Sequence, residues 1–280
     1  MSREPVREAL ARRGLAARRA LGQNFLVDPR VADAIAEQAG IGARDAVIEI
    51  GPGLGILTRA LAARARRVVA VEIDAGLVRA LREPGALPDA VELIHANALD
   101  LDLGALAERL GPEVRLVANL PYSVSSPLLR RLLDLRGRLR SWVVLVQREV
   151  AQRIAALPGS RDYGSLAVLH QLCARVERLQ TLAPHCFHPA PKVRSTLVRI
   201  TPLDPAPLSA DELEGLERVV RAAFGTRRKM LANALRAGLE PAPDLEALHG
   251  ILDRLGIDRR ARAEAIAPHG HLEIARALGG

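Results

Sequence analysis

Asn119-Leu120-Pro121-Tyr122 combines the residue types needed to hold a flat base that carries an exocyclic amine. The asparagine oxygen can accept a hydrogen bond from the amine, proline fixes the turn, and tyrosine offers a stacking face. The tetrapeptide follows a largely apolar run at 114–118 that reads as a buried strand. In open α/β sheets, ligands bind at such strand ends. Asn and Pro are also common turn formers, so an ordinary strand exit is the competing reading. Upstream, Glu49-Ile50-Gly51-Pro52-Gly53-Leu54-Gly55 joins another apolar run to a helical pattern. Its glycines permit positive φ and close approach of backbone to a ligand, and the helix start behind them favours a negative group. Glu72, about twenty residues on, ends the next apolar run, where an acid can hold ribose hydroxyls. The G-x-G-x-G spacing is not the G-x-G-x-x-G of dinucleotide binders. A nicotinamide enzyme is therefore disfavoured, and a tight structural βα turn is the simpler alternative.

Placing these residues side by side requires a particular set of elements. Short apolar runs at 46–50, 68–73, 91–94, 114–118 and 142–146 alternate with helical patterns at 57–65, 126–135 and 149–156. This alternation predicts an α/β fold with a doubly wound, mainly parallel sheet. Runs at 166–173 and 196–200 read as later strands. A proline-rich break at 201–207 ends the strand signal, and 209–224, 227–236, 245–255 and 261–267 read as helices. Ser209 with Glu212 predicts a capping box on the first of these. The expected domains are a basic arm at 1–20, a catalytic domain at 21–204 and a small all-helical domain at 205–280.

The charge balance of the 280-residue chain is +8, with a pI near 10.7, which points to a polyanionic partner, nucleic acid ahead of a membrane surface. Only Lys192 and Lys229 are lysines; the other basic residues are arginine, suited to phosphate contacts and base stacking. Two cysteines, Cys173 and Cys186, have no metal-ligand spacing, and the histidines share none either; a reducing cytoplasm is expected. No apolar run is long enough for a membrane span. The first twenty residues carry Arg3, Arg7, Arg12, Arg13, Arg18 and Arg19 with Glu4 and Glu8, and no apolar core of a secretory signal. They read as an arm that touches RNA backbone, with a solvated, partly helical tail as the alternative.

The glycine turn and the acids that end two strands resemble motifs I and II of class I S-adenosylmethionine methyltransferases. Further stretches extend the likeness: Leu21 to Leu26 (LGQNFL), Val71 to Asp74 (VEID), Asn119 to Leu129 (NLPYSVSSPLL), Val146 to Arg153 (VQREVAQR), Phe187 to Ser195 (FHPAPKVRS) and Phe224 to Leu235 (FGTRRKMLANAL). Taken in order, they resemble the KsgA-type (RsmA) family of small-subunit ribosomal RNA adenine dimethyltransferases, over about residues 20–240. The resemblance implies a monomeric, cytoplasmic enzyme, with S-adenosylmethionine as cosubstrate and no metal. It implies dimethylation of the N6 amines of two adjacent adenosines in the 3′-terminal hairpin loop of 16S rRNA in the 30S particle, and a part in small-subunit biogenesis. It places Asn24, Leu26, Gly51, Glu72, Asn97 and Asn119 around the cofactor, and Asn119, Leu120, Tyr122 and Phe187 around the target base. Asn97 stands where the family usually has an aspartate that accepts from the cofactor's adenine amine. The missing charge implies weaker cofactor binding, and an Asp at this position is expected to tighten it; Asp100 and Asp102 nearby are not assigned that role. Arg148 and Arg153, with Gln147, and the cluster Arg227, Arg228 and Lys229 are candidate RNA contacts, a solvated helix face being the alternative for the cluster. Phe187 is a clamp for the second face of the base or, alternatively, a core residue at a domain junction. Two other functions stay open: a macrolide-resistance type methyltransferase of 23S rRNA, and a non-catalytic ribosome-assembly or transcription factor on the same fold.

Overall fold

The computed structural model describes residues 6–18, 21–122 and 124–279. Arg3, Glu4 and Arg19 of the expected arm lie outside the described residues. The chain divides into two compact units. The first runs to Ala151 and resumes over Glu177–Pro202; the second takes Gln152–Val176 and the chain from Leu203 onward. Gln152–Val176, which the sequence assigns to the larger domain, thus belongs with the C-terminal helices.

The first unit is built on a seven-stranded sheet. The elements that form this unit, with α7 and β7 each crossing into the second unit, are in chain order α1 (Val6–Arg12), β1 (Phe25–Leu26), α2 (Pro29–Gln38), β2 (Ala46–Ile50), α3 (Ile56–Ala62), β3 (Arg67–Glu72), α4 (Ala75–Leu81), β4 (Val91–His95), α5 (Leu103–Leu110), β5 (Val114–Asn119), α6 (Ser125–Leu132), β6 (Ser141–Gln147), α7 (Arg148–Ile154), β7 (Ala174–Leu182), β8 (Phe187–His188) and β9 (Ser195–Pro202). The strand order is β4-β3-β2-β5-β6-β9-β7. Strands β4, β3, β2, β5 and β6 are mutually parallel, and β9 is antiparallel to β6. β2 is buried along its whole length, which is why it reads as an apolar run interrupted only by Glu49. Trp142 of β6 is fully buried opposite Leu116 and Ile200. Short polar side chains start the helices: Asp28 caps α2, Asp74 accepts from Gly76 N and Leu77 N at the start of α4, and Asp102 accepts from Ala105 N at α5.

The described part of the expected arm is a docked helix, Val6–Arg12, followed by a turn and an irregular stretch to Arg18. Val6 and Leu10 of α1 pack with Phe25 and Leu77. Arg13 pairs with Glu83 at 3.1 Å and Arg18 with buried Asp74 at 3.3 Å. These arginines are engaged within the unit rather than held out on a tail.

The second unit is helical: α8 (Ser165–Cys173), α9 (Ala210–Gly225), α10 (Leu231–Gly238), α11 (Leu245–Arg254) and α12 (Pro268–Ala277). The Ser209–Glu212 capping box forms as the sequence predicts. Segment 166–173, expected as a strand, is α8. A short run that is apolar all round carries neither period clearly, so pattern alone does not separate a strand from a buried helix. Segment 261–267 holds only a single 3-10 turn, Ala263–Ala265; the regular helix begins at Pro268, a favourable first helical residue. Tyr163 packs edge-on against Phe224, with ring centroids 5.9 Å apart, and Phe224 packs on His271 at 5.4 Å. Tyr163 Oη donates to Ile266 O at 2.9 Å, and a ring nitrogen of His271, Nε2, lies 3.1 Å from Ala263 O.

Burial pushes the His271 imidazole down to about 4, against a slight opposite pull from Ala263 O. The folded unit therefore holds it neutral, while an unfolded chain takes up the proton near pH 6.5. Between those values the unfolded state binds more protons, so stability falls as pH drops from 6.5 toward 4. Thermal unfolding followed at pH 7, 6, 5 and 4 should show this loss, and His271→Leu should flatten the slope in that window.

Candidate functional site

Parallel register brings the chemistry together. Ile50 of β2 lies opposite Val71 of β3 and Ala118 of β5, so the residues that follow these three strands leave the sheet along one edge. Gly51, Gly53 and Gly55 all have positive φ, at 73°, 59° and 75°. A Cβ on Gly53 would meet the Phe25 ring at 2.8 Å, so this turn needs glycine for space as well as for conformation. Gly53 N donates to Glu72 Oε2 at 3.2 Å and Asp74 N donates to Glu72 Oε1 at 2.9 Å. Each carboxylate oxygen keeps a second lone pair for a hydroxyl donor. Burial pushes the Glu72 carboxyl above its ordinary range, while the backbone N–H groups pull it back.

Glu49, at the end of β2, is 1% exposed, and its Oε2 has no hydrogen-bond partner among the described atoms. Burial, reinforced by the Glu72 charge, pushes its carboxyl up to about 8. The sequence marks it only as an acid ending a strand; its raised pKa is a property of the fold.

Asn119 ends β5. Its Nδ2 donates to the Asn24 carbonyl at 2.8 Å, and Asn24 Nδ2 in turn donates to Gly22 O at 3.1 Å. With its N–H₂ committed to a carbonyl, the Asn119 amide has one orientation, and Oδ1 is the atom left to accept. Leu120 is buried and its N donates to Leu145 O, which carries the adjoining strand past the turn. Tyr122 is half-buried, and its Oη lies 2.9 Å from Ser195 Oγ. Burial raises the phenol above its usual value, so it stays protonated.

One cleft is lined by Asn24, Leu26, Gly51, Glu72, Asn97, Asn119 and Leu120, which are all of the expected cofactor contacts and two of the expected target contacts. Gln23, Leu54 and Ile73 also line it and were not singled out in the sequence. Ile73 is 47% exposed, an apolar residue just beyond a strand-ending acid, and that position is the signal that would have found it. Tyr122 and Phe187 are outside the lining. Phe187 is 4% exposed, pairs with Leu26 across β1 and β8, and packs in the core with Leu145 and Leu197. The core reading replaces the clamp, because almost none of its ring is open to a base. Asn97 follows β4; its Oδ1 accepts from Leu99 N at 3.1 Å and its Nδ2 donates to Asp100 Oδ2 at 2.8 Å.

The expected RNA contacts divide. Arg148 opens α7, and Arg153 lies in its last turn; both are exposed. Arg227, Arg228 and Lys229 lie in the turn before α10, which starts at Leu231, not within a helix. All three are exposed, and Arg227 also donates to Arg161 O at 2.9 Å and Tyr163 O at 3.2 Å. Among the described residues, no group of three or more His, Cys, Asp or Glu is placed to hold a metal, and no helix is long and apolar enough to cross a membrane.

The family model for "Ribosomal RNA adenine dimethylase" matches residues 14–272. The chain belongs to the ribosomal RNA adenine dimethylase family. A member from Rhodospirillum rubrum, named ribosomal RNA small subunit methyltransferase A, is 46% identical over 276 residues, 98% of this chain and 92% of that protein. Among solved structures, a dimethyladenosine transferase from Plasmodium falciparum superposes with a TM-score of 0.73 at 23% identity, covering 89% of this chain and 95% of that one. The 23S rRNA methyltransferase ErmE superposes at 0.65 with 27% identity, covering 92% and 100%. The fold of this family member is thus the class I methyltransferase sheet with a helical C-terminal region.

The glycine cradle closed by Phe25, the two oxygens of Glu72 and the acceptor of Asn119 fit the S-adenosylmethionine that this fold class uses. For the apo protein, Glu49 has a testable consequence. Its folded pKa lies above the ordinary value of 4.5, so its contribution is complete below pH 4.5 and is lost as pH rises toward 8. Glu49→Gln should therefore raise the melting temperature more at pH 8.5 than at pH 5, as differential scanning calorimetry would read.

Proposed function

We propose that this protein transfers two methyl groups from S-adenosylmethionine to the N6 amine of each of two adjacent adenosines in the 3′-terminal hairpin loop of 16S rRNA. The observation that carries this reading is the oriented Asn119 amide, with its acceptor beside the glycine turn and Glu72. The 46% identity to a small-subunit methyltransferase, against 27% to ErmE, favours the small-subunit substrate over the large.

An adenine amine is a poor nucleophile because its lone pair is conjugated with the ring. Asn119 Oδ1 and the Leu120 carbonyl accept its two hydrogens and favour a pyramidal nitrogen with the lone pair directed at the methyl group. When bound, S-adenosylmethionine supplies a methyl group already activated by the sulfonium charge. Nitrogen–carbon bond formation accompanies sulfur–carbon cleavage, and the displaced proton leaves to water. The protein's share is orientation and electrostatics. Tyr122 holds the base by stacking, a contact worth roughly 1–3 kcal/mol, and Ser195 fixes its hydroxyl. For the second transfer the remaining N–H keeps one of the two acceptors.

A flipped-out base in a single-stranded loop suits such a site. The sheet-bearing unit holds the chemistry in this reading, and the helical unit contacts RNA backbone through Arg228 and Lys229. Arg148 and Arg153 position RNA near the target turn. The protein acts as a cytoplasmic monomer on the 30S particle, and its binding there contributes to small-subunit maturation.

Labelled methyl transfer to unmethylated 30S particles, 50S particles and free rRNA tests the substrate. Label in 30S rRNA is expected; label confined to the 50S sample would assign the ErmE-like reaction instead. Asn119→Ala should lower turnover at least ~100-fold, the order seen when one preorganised polar contact to a reacting group is lost, while 30S binding is retained. Undiminished turnover in that variant would remove the amine contact from the mechanism.

A further inference from the structure

The loop after β4 explains how an uncharged residue can stand at position 97. Asn97 is fixed at both ends of its amide, with Oδ1 on Leu99 N–H and Nδ2 on the Asp100 carboxylate. A flipped amide would set oxygen against carboxylate and N–H₂ against N–H, so the orientation is locked. One Oδ1 lone pair is used by Leu99, and the other remains an acceptor. The bond to Asp100 is charge-assisted, and it polarises the amide so that Oδ1 gains acceptor strength.

The backbone around this pair is held as firmly. Asp100 N and Leu101 N both donate to Asn97 O at 3.0 Å. From α6, Arg131 donates to Ala98 O at 3.0 Å, to Leu101 O at 2.6 Å and to Leu99 O. Asp102 is occupied as the cap of α5, which leaves Asp100 as the carboxylate in contact with Asn97.

We infer that Asp100 is a positioning residue for cofactor recognition: it locks and polarises Asn97, so that the pair does together what one aspartate would do alone. This rests on the reading that the cleft takes S-adenosylmethionine, with its 6-amino group donating to Asn97 Oδ1. It also changes the simple expectation for this position. An Asp at 97 would face Asp100 at hydrogen-bond distance, and two carboxylates sharing a site disfavour each other's charge. Asn97 and Asp100 are a matched pair, and the roles can be exchanged but not duplicated.

The test is calorimetric titration with S-adenosylhomocysteine and with its 6-oxo analogue, S-inosylhomocysteine, each variant first checked for an unchanged melting profile. Asp100→Ala should weaken S-adenosylhomocysteine binding about five- to tenfold, the order of one lost hydrogen-bond interaction, and leave the 6-oxo analogue within about twofold. N97D alone should also weaken S-adenosylhomocysteine binding. The exchange variant N97D/D100N should return it to within about twofold of the parent, a non-additivity expected only of interacting positions. Unchanged affinity in Asp100→Ala, an equal loss for both ligands, or tighter binding in N97D alone would overturn the inference. Absence of S-adenosylhomocysteine binding in the parent protein would instead overturn the methyltransferase reading.

Discussion

The hydrogen bond from Asn119 Nδ2 to the Asn24 carbonyl joins residues 95 positions apart and sets the geometry of the cleft. It anchors the segment before β1 to the end of a central strand. β1 is itself held by β8, so the wall of the site is assembled from three distant stretches of chain. The same bond leaves Oδ1 as the acceptor that the proposed amine contact requires. An amide turned the other way would present donors to an amine, and two sets of N–H groups would repel. A single neutral contact thus ties two walls of the cleft together and, in the proposed reaction, sets the sign of recognition.

Two buried carboxyls lie at this edge and differ in character because their surroundings differ. Glu72 has each oxygen met by a backbone N–H and remains suited to hydroxyl donors. Glu49 lies one strand away with one oxygen unmatched, and its own burial and the Glu72 charge together push its carboxyl up. Residue type alone would rank them equal; desolvation and local hydrogen bonding separate them.

What could be read from the chain followed from how local each signal is. The glycine turn, Glu72 and the NLPY turn were legible because each lies at a strand end, where an apolar run breaks into polar or glycine residues over a few positions. The capping box at Ser209 is local in the same way. Where a residue's role depends on distant partners, pattern reading failed or stayed undecided. Arg227 looks like a free cation in sequence, but it is spent on carbonyls more than sixty residues away. Phe187 looks like a base clamp until its pairing with Leu26 buries it. Helix α8 reads as a strand because its apolar residues cover more than one face, and its burial comes from helices that follow much later. The docking of α1 depends on Val6 and Leu10 meeting Phe25 and Leu77, which no local periodicity announces.

The placement of the rare aromatic residues has an optical consequence. Trp142 is the only tryptophan of the chain, fully buried in β6 within the first unit. Its indole is surrounded by apolar strand residues, so its fluorescence emission should lie at short wavelength and shift to the red on exposure to water. Tyr163, one of two tyrosines, is immobilised edge-on to Phe224 in the second unit, an asymmetric setting that produces near-ultraviolet circular dichroism. The first unit therefore carries Trp142 and Tyr122 and the second Tyr163, so tryptophan emission reports on the first unit alone, whereas the near-ultraviolet dichroism has contributions from both. Without any label, the two signals distinguish a molecule that melts as one cooperative body from one whose sheet and helices melt separately.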